Sequence, residues 1–530
     1  MKSHIKIYAA LILPVFLIAA CASTKVVDET PNNTIESIST SQGNASIPYA
    51  NTTTVKLSRD LSLNKVVKNY KGSTTVNKTV KISPAQFDSL VKTVKHIDLS
   101  KLESIEHPPL VGSGNTNLLI VTDKGSYSFH KSYRSDFPPV IAQLLAVRGI
   151  TDPPDIDRFF NLKMTGLRAP KELPGLTKAV ESIYAAIAAG KKIFIYGDYD
   201  ADGMTSTAIM VRCLKLIGAE VNYFVPSRLD DGYGLSIETL ERLHRRGAEF
   251  IITVDCGIAS VAEVEFCKSA GIQIVITDHH HVGDQLPDAD AIVHPALPDH
   301  DYPFDGLCGA GVAFKLAWGL CMAHCGSPKL PEKLRDFLFG AVSLAAIGTV
   351  CDVVPLKDEN RIIVHHGMNC LREFANPGLR HLMALSSMLD KPKIEAEDFA
   401  FGLGPRLNAA GRLGQAQLGV ELLICEDYDR AKELAEYIDA LNKNRKSMEI
   451  KLQKSAERLI SENFNPERDA ALVLAADDWH LGILGIVAGR IAEKYQRPTI
   501  MISIDANGQR DGVGSCRSSC GVDLYAALDQ

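Results

Sequence analysis

The chain has 530 residues, room for three or more domains. Apolar residues make up 46% and charged residues 23%, ordinary values for globular protein. A net charge of −6 excludes a globally basic nucleic-acid binder, so any such partner must be held by local basic clusters.

Residues 1 to 21 have a basic start (Lys2, Lys6), an apolar core from Tyr8 to Ala20 and small residues before Cys21. That is a secretory signal pattern, too short for a comfortable membrane span. Ile18-Ala19-Ala20-Cys21 resembles the lipobox of bacterial lipoproteins, which implies lipidation at Cys21 and a membrane contact through that anchor. Residues 22 to 54 are rich in Ser, Thr, Asn and Pro and read as a flexible tether. Between 55 and 138 short β-type runs (TTVKLS, NLLIVT, SYSFHKS) surround one helical stretch, PAQFDSLVKTVKHI. A small α+β domain, similar to lipoprotein domains and without a catalytic constellation, is expected there.

From 140 the texture changes to α/β. LLAVRGI and DIDRFFNL read as a helical preamble. A run of β-formers, Ile193 to Tyr196, then ends at Gly197, and three carboxylates follow at alternate positions, Asp198, Asp200 and Asp202. Gly203 opens a helix-compatible run closed by Gly218. This is the first strand–loop–helix turn of a parallel sheet, where ligands bind beyond the carboxyl ends of the strands. Alternating Asp residues supply hard oxygen ligands suited to Mg²⁺ or Mn²⁺. An EF-hand is excluded, because its twelfth position needs Glu and here holds Ile209.

The alternation continues through EVNYFVPS, IETLERLHRRG, FIITVDCG, SVAEVEFCKSAG and IQIVITDHHH. The β runs are continuously apolar, as in a parallel sheet covered on both faces. The second such segment ends in Asp255 and the third in Asp278-His279-His280-His281. An apolar helix, FGAVSLAAIGTV, runs straight into Asp352. Four buried-type segments ending in Asp or His point to a two-metal site of the kind that cleaves phosphate esters, with no Ser or Cys nucleophile. The 12 cysteines form no regular framework: Cys21 stands alone, and those from Cys213 onward, including Cys256, Cys267 and Cys351, read as buried free thiols. Cys321-x-x-x-Cys325 lacks the second pair that a zinc site needs.

GDYDADG, VDCG, TDHHHVG and the CD of GTVCDVVPL resemble, in order, the four motifs of the DHH phosphoesterases. The resemblance covers about 140 to 530 and is greatest to their branch of 5′ exonucleases specific for single-stranded DNA. PSRLDDGYGLS, CGAGVAFK, GLGPRLNAAGRLG and WHLGILGIVAGRIAEKY support it. It implies hydrolysis of single-stranded DNA from the 5′ end to mononucleotides, in repair and recombination, with two divalent ions, Mn²⁺ or Mg²⁺. It also implies a single-strand-binding protein and a helicase as partners. By the same resemblance Asp200, Asp202, Asp255, His279 and Asp352 are metal ligands, with Asp255 bridging. Asp198 is a further ligand, serving in place of a His that some branches carry at the position of Tyr196. His280 faces the scissile phosphate, and Asp278 orients His279 or His280 from behind. His281 reads as structural or solvent-facing.

Arg228 matches a position that grips the DNA 5′ end. Arg406 and Arg412 lie in a Gly-rich loop suited to phosphate. Residues 427 to 463 read as a long helix, with Leu434, Ile438, Leu441, Met448, Leu452 and Leu459 on a seam. It would connect the DHH domain, 140 to 426, to a second domain, DHHA1, from 466, where Ser515 and Arg517 match a second phosphate-gripping position. Members of this branch act in the cytoplasm and continue into an OB-type fold beyond DHHA1. The lipobox points instead to the cell envelope, and the sequence ends at Gln530. A lipoprotein segment fused to a shortened DHH enzyme is therefore expected.

Overall fold

The computed structural model describes residues 35–44, 52–58, 62–68, 74–81, 114–122, 125–133 and 139–528, apart from 229–230, 233, 299, 466–467, 478, 506–510 and 520. Cys21, the rest of the signal segment and the helical stretch 84–97 lie outside the described residues. Two compact units divide between Asn161 and Leu162.

The first unit contains a six-stranded antiparallel sheet. Its strands are β1 (Ile35–Asn44), β2 (Thr52–Ser58), β3 (Ser62–Lys68), β4 (Thr74–Lys81), β5 (Gly114–Thr122) and β6 (Gly125–Tyr133), in the order β4-β3-β2-β1-β5-β6. Strand β1 corrects the reading of 22–54 as a tether throughout. Its Ser and Thr residues lower its hydropathy, but it is paired on both edges, to β2 and to β5. Thr is a good strand residue once its backbone is paired. Helices α1 (Pro139–Val147) and α2 (Pro153–Phe160) follow.

The second unit opens with α3 (Leu176–Ala188) and a five-stranded sheet. The sheet comprises β7 (Ile193–Tyr196), β8 (Val221–Phe224), β9 (Phe250–Val254), β10 (Gln273–Thr277) and β11 (Ala291–Val293). Every pairing is parallel, in the order β11-β10-β9-β7-β8. The chain passes from β7 outward to β8 and then crosses back to β9 on the other side. The β7/β9 boundary is therefore a topological switch point, where an open parallel sheet leaves a crevice at its carboxyl edge. Alternate residues feed two cores. Ile193, Ile195, Phe250, Ile252 and Val254 face one, and Phe194, Tyr196, Ile251, Ile274 and Ile276 the other. That explains the unbroken apolar runs.

Helices α4 (Ala201–Leu216), α5 (Ile237–Arg245) and α6 (Val261–Ser269) connect the strands, and α7 (Gly309–Cys325) and α8 (Glu332–Cys351) follow. Helix α4 is buried along nearly its whole length despite Thr205 and Thr207. Their hydroxyls donate to the carbonyls of Ala201 and Gly203, four residues back, at 2.8 and 2.7 Å, so both are satisfied within the helix. Helix α8 has the length and hydropathy of a membrane span, but 67% of its apolar window is buried inside the protein, as in a core helix. Beyond it come α9 (Asp358–Phe374), α10 (Pro377–Leu385), a π-helical turn (Asp398–Leu403), α11 (Gly404–Arg412) and α12 (Ala416–Ile424).

Helix α13 (Tyr428–Asn463) runs for 36 residues and is N-capped by Asp427, whose carboxylate accepts from the Arg430 amide. Leu434, Ile438, Leu441 and Leu452 are buried on it, with Met448 and Leu459 partly so. The expected seam also carries buried polar residues. Arg445 donates to Asn442 and Glu449, and Glu449 accepts from Arg490 at 3.0 Å. Arg490 lies on α14 (Leu481–Tyr495), so this ion pair ties α13 to the last layer. There α14 packs on a sheet of β12 (Leu472–Asp477), β13 (Thr499–Ile504) and β14 (Val513–Arg517), followed by α15 (Leu524–Leu528). The ten described cysteines are free.

Candidate metal centre and nucleic-acid interface

The acidic and imidazole segments singled out from sequence meet at the β7/β9 switch point. Asp198, Asp200 and Asp202 follow β7, Asp255 follows β9, His279 and His280 follow β10, and Asp352 caps the end of α8. Ligand-type atoms of Asp198, Asp200 and Asp255 lie within 4.8 Å of one another. The same holds for Asp202, His279 and Asp352, and for Asp255, His279 and His280. The Nε2 atom of His279 is 3.1 Å from Asp255 Oδ1, 3.6 Å from Asp352 Oδ2 and 3.8 Å from Asp202 Oδ2.

Backbone donors hold part of this cluster. Asp200 N-caps α4, its Oδ1 accepting from the amides of Asp202 and Gly203 at 2.8 and 3.0 Å. Asp202 accepts the Gly309 and Ala310 amides, at 2.7 and 2.9 Å, from the positive N-terminal end of α7. A Cβ on Gly309 would lie 2.5 Å from Asp255 Oδ1, so only glycine lets α7 come this close. Asp255 itself has φ +64, a left-handed conformation that Asp tolerates better than most residues. The Asn408 side chain accepts the Ala201 amide at 2.8 Å and so steadies the Asp loop from α11. Sequence reading passed over Asn408, although it lies inside the GLGPRLNAAGRLG stretch.

Burial and mutual repulsion disfavour ionisation of these carboxylates. Asp198 is pushed up to about 8, by burial and then by Asp200. Asp202 rises to about 6 through burial, against the pull of His279. Asp352 rises to about 6 through burial and Asp200. Asp255 is raised by burial and by Asp202, Asp200 and Asp198. Burial lowers His279. Three buried atoms, Asp198 Oδ1, Asp255 Oδ1 and His279 Nε2, make no hydrogen bond. Uncompensated buried polar atoms are costly, and three of them converging among crowded carboxylates fit a bound divalent cation. Carboxylate oxygens with one imidazole suit Mn²⁺ or Mg²⁺ better than a thiolate-preferring ion.

Asp278 is the orienting member. Its Oδ1 accepts from His280 Nδ1 at 2.8 Å and from the His279 amide at 2.7 Å, and its Oδ2 accepts the Ile258 amide at 2.9 Å. Burial alone would raise Asp278, but His280 and these amides hold it below the usual carboxylate range. The same hydrogen bond to Asp278 lifts His280 to about 9. His294, which sequence reading also passed over, accepts the Ala296 amide on Nδ1 and so donates from Nε2 to the His280 carbonyl, at 2.8 Å. His281 is exposed. Tyr196 is fully buried away from the cluster, its hydroxyl donating to the Gly234 carbonyl at 2.9 Å.

Basic residues line one side of the Asp loop. The Arg228 guanidinium lies 5.1 Å from the centre of the Tyr199 ring. Arg412 donates to the Gly482 carbonyl at 3.2 Å and is lowered to about 10 by burial and by nearby Arg228 and Arg445. Two expectations need correction. Arg406 and Arg412 lie on helix α11 and not in a Gly-rich phosphate loop. The glycines there serve close packing: a Cβ on Gly411 would lie 1.9 Å from the Tyr199 carbonyl oxygen. Arg406 does not join the basic wall. Its guanidinium donates to Asp439 at 2.8 Å and to the carbonyls of Gly402 and Leu385, at 2.7 and 3.0 Å, so it links α11 to α13. Ser515 and Arg517 stand together on β14, where Arg517 donates to Ser515 Oγ at 3.2 Å, against Gly485 of α14. Among the described residues, no hydrogen bond or ion pair joins them to the carboxylate cluster.

The DHH family, N-terminal domain, matches residues 192–344, which hold all the carboxylates except Asp352. The single-stranded-DNA-specific exonuclease RecJ of Escherichia coli is 39% identical over 411 residues, covering 75% of this chain and 68% of that protein. The chain belongs to the RecJ family. The RecJ exonuclease of Bacillus subtilis is 41% identical over 394 residues, and the chain spans about half of that relative (48%). Two solved RecJ structures share the fold. One, an exonuclease RecJ bound to manganese, matches with TM-score 0.59 at 36% identity, over 68% of this chain and 87% of the other. The other, RecJ of Thermus thermophilus in complex with Mn²⁺, matches with TM-score 0.59 at 33% identity, over 73% and 52%.

Proposed function

We propose that the chain is a divalent-metal-dependent exonuclease that removes mononucleotides from the 5′ end of single-stranded DNA. One observation carries this reading: six ligand residues from four segments converge at the switch point, and three of their buried atoms make no hydrogen bond. The names of its relatives and the manganese and magnesium bound to solved members support it.

Asp198, Asp200, Asp202, Asp255, His279 and Asp352 would hold two divalent ions, and Asp255, which stands in two of the three ligand groups, would serve both. Such ions, when bound, supply Lewis acidity, acidify a water and stabilise charge developing on phosphate. The chain's own residues do the rest. Asp278 keeps His280 protonated at neutral pH, so that His280 can donate to a phosphate oxygen. Arg228 and Arg412 add positive charge beside the Asp loop for the DNA backbone, and Tyr199 offers a ring face. By the same reading, a helicase that opens duplex and a single-strand-binding protein are its partners.

The test uses the purified full chain with Mn²⁺ and 5′-phosphorylated single-stranded oligonucleotides, with Asp255→Ala as control. Mononucleotides should leave the 5′ end with the wild-type chain and not with the variant. Hydrolysis of dinucleotides alone would reassign it as a short-substrate phosphoesterase. A folded, Mn²⁺-loaded chain inert on both would overturn the reading.

A further inference from the structure

We infer that Asn360 is a positioning residue for the metal centre, an inference that rests on the two-metal reading above. Asp352 is supplied at the C-terminal end of α8, and the chain turns sharply after it. Val353 adopts φ +64 with its side chain 85% exposed. A β-branched residue in the left-handed region is a genuine outlier, and such strain persists only where surrounding structure over-determines it. Packing of the Val353 side chain cannot be the restraint, because that side chain is in solvent. The restraint is in the backbone on either side. Upstream, the Asp352 amide donates to the Gly348 carbonyl at 2.9 Å. Downstream, the Pro355 carbonyl accepts from the Lys357 amide at 2.8 Å and from Asn360 Nδ2 at 3.1 Å.

The other donor of the same amide group reaches the Gly306 carbonyl at 2.5 Å. Gly306 lies just before the N-terminus of α7, whose Gly309 and Ala310 amides hold Asp202. One fully buried side chain, at the start of α9, therefore ties together the two loops that set Asp352 and Asp202. Both carboxylates lie in one group with His279, so a slip of either loop opens that group. Asn360 touches none of the ligand atoms. Its Oδ1 is buried without a hydrogen-bond partner, so hydrogen bonding at this side chain runs through its two donors. A buried amide with an unmet acceptor is expensive on stability grounds alone. Function by way of the two loops accounts for it.

The experiment measures Mn²⁺ binding to the full chain by calorimetry, alongside metal-free melting and steady-state kinetics, for wild type, Asn360→Asp, Asn360→Ala and Asn376→Ala. Asn376 is a matched control. Its amide also spans two carbonyls, Leu422 at 2.9 Å and Cys425 at 3.1 Å, but it serves α10 and α12. Groups behind metal ligands typically change metal affinity by about 10- to 100-fold when removed. The Asn360 variants should weaken Mn²⁺ binding on that order and lower kcat with KM for DNA little changed. Asn376→Ala should lower the melting temperature and leave Mn²⁺ affinity intact. If Asn360→Asp fails to fold, Asn360→Ala decides, since water can enter between the two carbonyls. Wild-type Mn²⁺ affinity in Asn360→Ala, or an equal loss in Asn376→Ala, would overturn this inference alone. A wild-type chain that binds no Mn²⁺ would overturn the two-metal reading and this inference with it.

Discussion

Replacing Asp198 by Asn should stabilise the metal-free protein while weakening its hold on metal. Asp198 is buried, has an unpaired Oδ1 and titrates near 8 instead of 3.8. An acid with a raised folded pKa costs nothing below its unfolded value. Its cost grows as pH rises from about 4 and is nearly complete at its folded pKa, near 8. The shift corresponds to at most about 5 kcal/mol of stability withheld at pH 8. Asn removes that cost but adds an amide that needs acceptors, worth about 1–3 kcal/mol if unmet. A net gain of about 2–4 kcal/mol remains, or a rise in melting temperature of roughly 3–5 °C for a unit of this size. The assay is thermal unfolding of the full chain in chelator at pH 4 and pH 8, repeated with Mn²⁺. The variant should melt higher than wild type at pH 8 and no higher than wild type at pH 4, and its advantage at pH 8 should shrink or vanish once Mn²⁺ is saturating. Saturating ligand contributes about 2.7 kcal/mol at a hundredfold excess over its dissociation constant. Equal melting of the two proteins in chelator at pH 8, or a variant advantage that persists at pH 4, would refute the reasoning.

Asp278→Asn removes the anion facing His280, whose pKa should fall from about 9 toward its ordinary 6.5. A cation with a depressed pKa is lost as pH rises through the new value, so the alkaline limb of the pH–rate profile should move to lower pH. An unmoved limb would show that His280 does not act as a donor. Gly411→Ala should push α11 off the Asp loop, because its Cβ would meet the Tyr199 carbonyl at 1.9 Å. We expect a loss of about 1–3 kcal/mol in stability and a large drop in rate, read by melting and by nuclease assay. Arg412→Ala should raise KM for single-stranded DNA and flatten its salt dependence. Arg406→Ala should instead lower stability by about 1–2 kcal/mol with KM unchanged, since its three contacts are internal.

The strands of the second unit were legible because each is buried on both faces and reads as an unbroken apolar run ending in a ligand residue. Helix α13 was legible by its seam, except where Arg445 and Glu449 occupy buried seam positions as an ion pair with Arg490. No periodicity rule anticipates a buried charge whose partner lies on another helix. Strand β1 was missed because its Ser- and Thr-rich run has linker composition, and what makes it a strand is pairing to β2 and β5, far apart in sequence. Short β11 was missed because three residues carry no period. The GLGPRLNAAGRLG stretch was misread for a related reason. Glycines that let a helix touch a neighbouring backbone look, in one dimension, like glycines that bend a loop around phosphate.

The same limit applies inside the metal centre and explains how the roles of its acids divide. Asp200, Asp202 and Asp278 are all acids in the right motifs, yet backbone amides or His280 already engage each of them. Asp198, Asp255 and His279 each keep a buried atom that makes no hydrogen bond. Donors from the chain thus fix the angle at which the first set stands, and the second set is left uncompensated until a cation arrives. Repulsion among the acids cannot be relieved by moving them apart, because Gly309 brings α7 against Asp255 and Asn408 and Gly411 press α11 onto the Asp loop. The dense packing that makes the apo centre costly is therefore also what keeps its ligand atoms in place for metal. Relaxing it at Gly411 should weaken Mn²⁺ binding, whereas neutralising Asp198 should ease the strain and lose a ligand. Measuring metal affinity and apo stability in both variants separates the two effects, since only Asp198→Asn should raise stability as affinity falls.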